Sequence, residues 1–186
     1  MRRLAALCLT ALLGCSSGSA PVQSDWERQN EGLLAREDSD APTGDKLPAF
    51  PRNENLTRFS VSPSSDFSFF VDRTSVSVGK DRIVRFVLVA RSPSGVDNVS
   101  YEAINCRQAE FRIYAVGRPD GTWVSRRGEW RALRQSGQRA QATLHSEFFC
   151  PGGIAVADAS DGVRALERGG HPWARPQESG PSGSGR

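Results

Sequence analysis

The residues of this chain best suited to covalent or acid–base chemistry are four cysteines, Cys8, Cys15, Cys106 and Cys150, and two histidines, His145 and His171. Their spacing does not favour a metal. No Cys-x-x-Cys pair or Cys/His cluster is present, so tetrahedral sites built from such spacings have no ligand set here, and no cofactor is expected. Nucleophilic catalysis has weak support too. Ser146 and Glu147 adjoin His145, but sequence neighbours rarely converge on one substrate atom, and there is no Gly-x-Ser-x-Gly elbow. A Ser/His/Asp site whose partners meet only in space stays open. Gly152-Gly153 alone is not a phosphate-cradling loop. No residue is assigned a catalytic role.

Charges and aromatics inside apolar runs point to binding instead. Arg85 interrupts the run from Ile83 to Ala90. A buried guanidinium must be paired, and Asp72 or Glu102 offers a carboxylate that matches its two-pronged donor geometry. A structural ion pair, an exposed edge position and a place in a binding site are the readings of Arg85. Tyr101 and Glu102, with Tyr114, are candidates to line a groove. Trp123 and Trp130 are candidates to stack on a sugar or peptide, although aromatics at strand positions more often fill a core. The candidate binding residues are therefore Arg85, Asp72, Tyr101, Glu102 and Trp123. Between 126 and 139 the chain carries Arg126, Arg127, Arg131, Arg134 and Arg139 against Glu129. That stretch is either a solvated face or a patch for anionic lipid headgroups or lipopolysaccharide phosphates.

The elements that position these groups start with an address. Arg2 and Arg3 precede an apolar run from Leu4 to Leu13, then Gly14 and Cys15. This has the order of a secretory signal, and it is short of the about 20 residues a membrane span needs. Leu12-Leu13-Gly14-Cys15 resembles the lipobox of bacterial lipoproteins. The resemblance implies a diacylglyceryl group on the Cys15 thiol, cleavage before it and acylation of the new amino terminus. At about 0.8 kcal/mol per buried methylene, several acyl chains anchor a protein almost permanently. The alternative is an ordinary signal cut near Gly18-Ser19-Ala20. Ser16, rather than an aspartate, follows Cys15, and in such lipoproteins that favours the outer membrane. Cys8 would leave with the signal and Cys15 would carry lipid. A Cys106–Cys150 disulfide is then the simplest inference for an exported chain, with a metal pair or a reactive thiol as rivals. Closing that loop is worth about 4 kcal/mol on the chain-entropy model.

Residues 15–46 are polar, with Pro21 and Pro42, and read as a lipidated tether. A short helix from Trp26 to Leu34 is an option within it. Residues 47–151 are expected to form the domain, a small antiparallel sheet or sandwich-like fold, mostly β, with one or two short helices. Period-two alternation marks Phe67–Val71 and Ser75–Val78 as strands. Ile83–Arg91 is apolar on both faces and reads as a central strand. In Val96–Cys106, Val99, Tyr101 and Ala103 share one face, while Asn98, Ser100 and Glu102 share the other. Glu110–Val116, a Pro119-Asp120-Gly121 turn, and short strands at Trp123 and Trp130–Leu133 follow. Gln138–Phe149 has helical spacing and is expected to dock through Cys150 onto the Cys106 strand. Residues 152–186 are expected to be a largely disordered extension. Their last eighteen residues include eleven Gly, Pro or Ser, which is a low-complexity composition.

Length and composition agree with one domain plus tails. The chain has 186 residues, is 38% hydrophobic and 24% charged, and has a mean hydropathy of −0.45. That excludes a multi-span membrane protein. The net charge is +3. Without Arg2 and Arg3 the mature chain is near +1, so nucleic acid is not an expected partner.

From Trp26 to Cys150 the order of short motifs resembles the cryptic neisserial protein family, uncharacterised proteins of the bacterial envelope. The resemblance is carried by Trp26-Glu27, Leu47-Pro48-Ala49-Phe50-Pro51, Phe69-Phe70-Val71-Asp72 and Val84-Arg85-Phe86 to Ser94-Gly95. It continues through Asn98-Val99-Ser100-Tyr101-Glu102, Cys106, Tyr114-Ala115, Gly121-Thr122-Trp123 and Phe148-Phe149-Cys150-Pro151. It implies an exported domain and transfers no catalytic residue. The expectation is a non-enzymatic lipoprotein of the outer membrane, held by lipid on Cys15 and facing the periplasm. Its work would be binding or assembly with an envelope protein or cell-wall partner, by edge pairing or a side-chain groove. The alternatives are a periplasmic hydrolase of envelope substrates and a small-ligand carrier.

Overall fold

The computed structural model describes residues 47–126, 128–133 and 139–174. The expected signal segment, Cys15 and the tether lie outside the described residues, as do Arg127, Arg134 and residues 175–186.

Among the described residues, seven strands form one open antiparallel sheet. They are β1 (Leu56–Phe59), β2 (Ser68–Val78), β3 (Ile83–Arg91), β4 (Asp97–Asn105), β5 (Glu110–Gly117), β6 (Trp123–Ser125) and β7 (Arg131–Ala132). The first six lie side by side in chain order. β6 and β7 both pair with β5, one at each of its ends. Between them the chain crosses the β5 backbone so closely that a Cβ at Gly128 would sit 2.7 Å from the Ile113 carbonyl oxygen. Only glycine fits such an approach.

β3 holds the centre, as its two-faced apolarity requires, and its residues Ile83 to Val89 are all buried. Both neighbours of β3 pair along most of its length. β2 is one strand rather than two, broken by a bulge between Asp72 and Ser77. The short polar residues of the bulge satisfy its freed backbone groups. Asp72 Oδ1 accepts from the Thr74 amide and hydroxyl at 2.9 and 2.6 Å. The Ser75 hydroxyl donates to the Asp72 carbonyl and accepts from the Val87 amide, standing in for a strand carbonyl.

A helical layer covers one face of the sheet. α1 (Arg139–Thr143) runs into a wider helical turn at Leu144–Phe149. α2 (Ala159–Arg168) starts at Asp158, whose carboxylate accepts from the Asp161 amide, and stops at Gly169 in the left-handed region. Phe86 of β3 meets Phe149 at a ring distance of 5.2 Å, and Phe59 meets Phe148 at 5.7 Å. Cys106, just past β4, is bonded to Cys150, with their Cα atoms 5.3 Å apart.

β1 is not among the expected strands, because it has no alternation to announce it. The extension expected to be largely disordered, with 152–168 ambiguous, holds α2, and its Gly162, Ala165 and Leu166 are buried at the i, i+3, i+4 spacing of a docked helix. The order runs on past Gly169, where the His171 amide donates to the Glu147 carbonyl at 2.7 Å. Three well-placed small and apolar residues are too few to announce a helix by periodicity.

Candidate functional site

Alternation along β4 decides what can meet. Glu102 pairs with Phe86 of β3 and Ile113 of β5, so its side chain points toward the helical layer. Tyr101 and Ala103 point the other way.

On the helix-facing side, Glu102 is 2% exposed. Ser100, two residues back and on the same face, donates its hydroxyl to Oε1 at 2.6 Å. Gln141 of α1 donates its amide to Oε2 at 3.0 Å and to Oε1 at 3.3 Å. Burial dominates and raises the Glu102 pKa. The bonds from Ser100 and Gln141 and the charge of Arg131 offset this only in part. Among the described residues no cation lies within ion-pair distance of it.

Glu102 and Ser100 sit in the lining of an open groove of about 700 Å³. Its apolar surface comes from Phe69, Leu88, Ala90 and Val116, its polar rim from the β1–β2 loop and the start of α1. Asp97 lies at its edge, locked by two hydrogen bonds from Arg91 at 2.6 and 2.8 Å. Arg139 reaches the rim and is exposed. The groove thus has the make-up of a small-molecule site, apolar walls with a few convergent polar groups.

The opposite face binds its own charge. Arg85 pairs with neither Asp72 nor Glu102. It makes a two-pronged bond to Asp81 at 2.6 and 3.2 Å. Glu102 is on the wrong face, and Asp72 is spent on the β2 bulge. Burial works to raise the Asp81 pKa, but bonds from Arg85 and the Ile83 amide outweigh it and hold the carboxyl below its ordinary value. Tyr114 is the extra residue of a bulge in β5. Its ring lies 5.7 Å from Tyr101 and under the guanidiniums of Arg85 and Arg112 at 5.9 and 5.4 Å. So Tyr101 and Tyr114 meet as expected, but Glu102 is divided from them by the sheet.

Trp123 closes on the segment before β1. Its indole donates to the Pro48 carbonyl at 2.9 Å, and its ring meets Phe50 at 5.2 Å. Phe50 in turn packs on Gly117, where a Cβ would lie 2.8 Å from its ring. Within the basic stretch, Arg131 lies over Phe111 at 4.9 Å. His145 donates from Nε2 to the Cys106 carbonyl at 3.1 Å, which fixes that tautomer and ties the imidazole to the crosslink. No cluster of three His, Cys, Asp or Glu able to hold a metal occurs among the described residues.

Sequence reasoning missed Gln141 and Asp81. Gln141 carried no signal, since a helix face cannot be aligned to a strand without the fold. Ser100 was signalled by the alternation that groups it with Glu102.

Residues 39–167 match the CNP1-like family. Over 204 residues the chain is 24% identical to the Cryptic neisserial protein 1 of Neisseria gonorrhoeae (strain ATCC 700825 / FA 1090), covering 96% of this chain and 100% of that protein. No solved structure matches.

Proposed function

Given that this chain belongs to the CNP1-like family, we propose that it is an exported, lipid-anchored binding module whose ligand enters the groove over Glu102. The observation that carries the reading is the groove itself. An apolar hollow of about 700 Å³ with a buried carboxylate in its lining, met by neutral donors among the described residues, is built at a cost to folding, because burying a charge without an opposite one destabilises the native state. The Cys106–Cys150 bond supports an oxidising compartment, since such bonds persist outside the cytosol. The signal-like start and Cys15 support anchoring by acyl chains, with the domain in the periplasm at the outer membrane.

The use of the reactive groups supports a binding role over hydrolysis. His145 is committed to the Cys106 carbonyl, and Glu102 has neutral donors about it. The test of anchoring is fractionation: Cys15→Ser should move the protein from the membrane pellet to the soluble periplasmic fraction. Continued sedimentation with membranes would remove the anchor from the proposal. The test of the compartment is thiol alkylation of freshly lysed cells, with Cys106 and Cys150 expected to be unreactive until reduced.

A further inference from the structure

We infer that the groove takes a small organic ammonium, a primary amine carrying an apolar substituent, with its charged end on Glu102. The inference rests on the groove being the binding site, and it adds the ligand's chemical class.

The strand neighbours of Glu102 on its face, Phe86 and Ile113, are both apolar. Among the described residues, the groups that touch its oxygens, the Ser100 hydroxyl and the Gln141 amide, are neutral donors. Neutral donors orient a carboxylate and leave its charge uncompensated. Elsewhere in this protein a half-buried carboxylate is met by a two-pronged guanidinium, as Asp81 is by Arg85 and Asp97 by Arg91. At Glu102, Arg131 acts only at a distance and lies over the Phe111 ring. The groove side of the carboxylate is where a cation can approach.

The walls specify the remainder of the ligand. Leu88, Phe69 and Val116 offer apolar surface in the same lining as Glu102, where each methylene buried contributes about 0.8 kcal/mol. An ammonium presents three donors to a carboxylate flanked by a serine hydroxyl, which accepts as well as donates. Arg139 at the mouth is exposed, so solvent and salt screen its repulsion.

The experiment uses the full chain carrying Cys15→Ser, purified from an oxidising compartment with Cys106–Cys150 formed. n-Hexylammonium and 1-hexanol are titrated by calorimetry near neutral pH. The ammonium is expected to bind about tenfold more tightly, a difference of about 1.4 kcal/mol. Glu102→Gln should abolish the preference, and Ala90→Trp, which fills the groove, should abolish binding of both. Equal affinity for the two compounds, lost in Ala90→Trp, would overturn the ammonium inference and leave the groove reading standing. No binding of either, or binding indifferent to Ala90→Trp, would overturn both. If Glu102→Gln does not fold, the pH dependence of the wild-type preference decides. It should fade as the carboxyl is protonated, and a preference unchanged from about pH 4 to about pH 8 would overturn the inference.

Discussion

A carboxylate surrounded by neutral donors titrates differently from one clasped by a guanidinium, and this chain holds both kinds. Asp81 gains its charge partner on folding, so its contribution to stability is present above the unfolded carboxyl range and is lost as pH falls through the depressed folded value. Glu102 has the opposite sign. Its folded pKa is raised, so the native state binds that proton more tightly than the unfolded chain does. Its contribution is complete below the unfolded value and is lost as pH rises through the folded one. Glu102→Gln should therefore gain stability relative to wild type as pH climbs from about 4 to about 8. Urea midpoints for both proteins across that range measure it, and parallel curves would be the contrary result. The residues of this pair differed in how readable they were. The alternation in β4 already set Glu102 beside Ser100 and apart from Tyr101. The partner of Arg85 could not be read because the bulge that diverts Asp72 depends on Thr74 and Ser75 bonding locally. Strand periodicity does not register such bonds.

Elements were readable in proportion to their periodicity. β3 spans Ile83–Arg91, the run its composition marked, because a strand buried on both sides needs no alternation and shows as a block. The turn at Pro119 to Gly121 is in place too, with the Gly121 amide donating to the Arg118 carbonyl at 3.0 Å. β1 escaped notice, since four residues with one buried phenylalanine offer too short a pattern. α2 escaped for a related reason: its buried stripe consists of one glycine, one alanine and one leucine. The short turn at Leu144–Phe149 carries a disproportionate share of the core, because Leu144, Phe148 and Phe149 are all buried. Phe149→Ala should cost about 3–5 kcal/mol, the range for emptying a packed phenylalanine site. A urea denaturation midpoint within error of wild type would show that the site collapses around the gap.

For the whole molecule, the helical layer and the sheet are joined twice, by packing and by a covalent bond. Replacing both Cys106 and Cys150 with serine should lower stability by about 4 kcal/mol, the loop-closure value for a separation of 44 residues. Chemical denaturation under identical conditions would measure it. Ending the chain after Ala157 should have a larger effect. It removes Ala165 and Leu166 from the core and the Glu147 carbonyl's partner at His171, so cooperative unfolding should be lost. A sharp thermal transition in that truncation would show that the sheet and α1 suffice. The last strands of the sheet have a different consequence. β5 is flanked by two separate pieces of three and two residues, β6 and β7, with the Gly128 crossing between them. Neither piece offers enough consecutive amides and carbonyls in line to template another copy of the sheet. On that flank, copies of the domain brought close together have no continuous strand edge on which to stack.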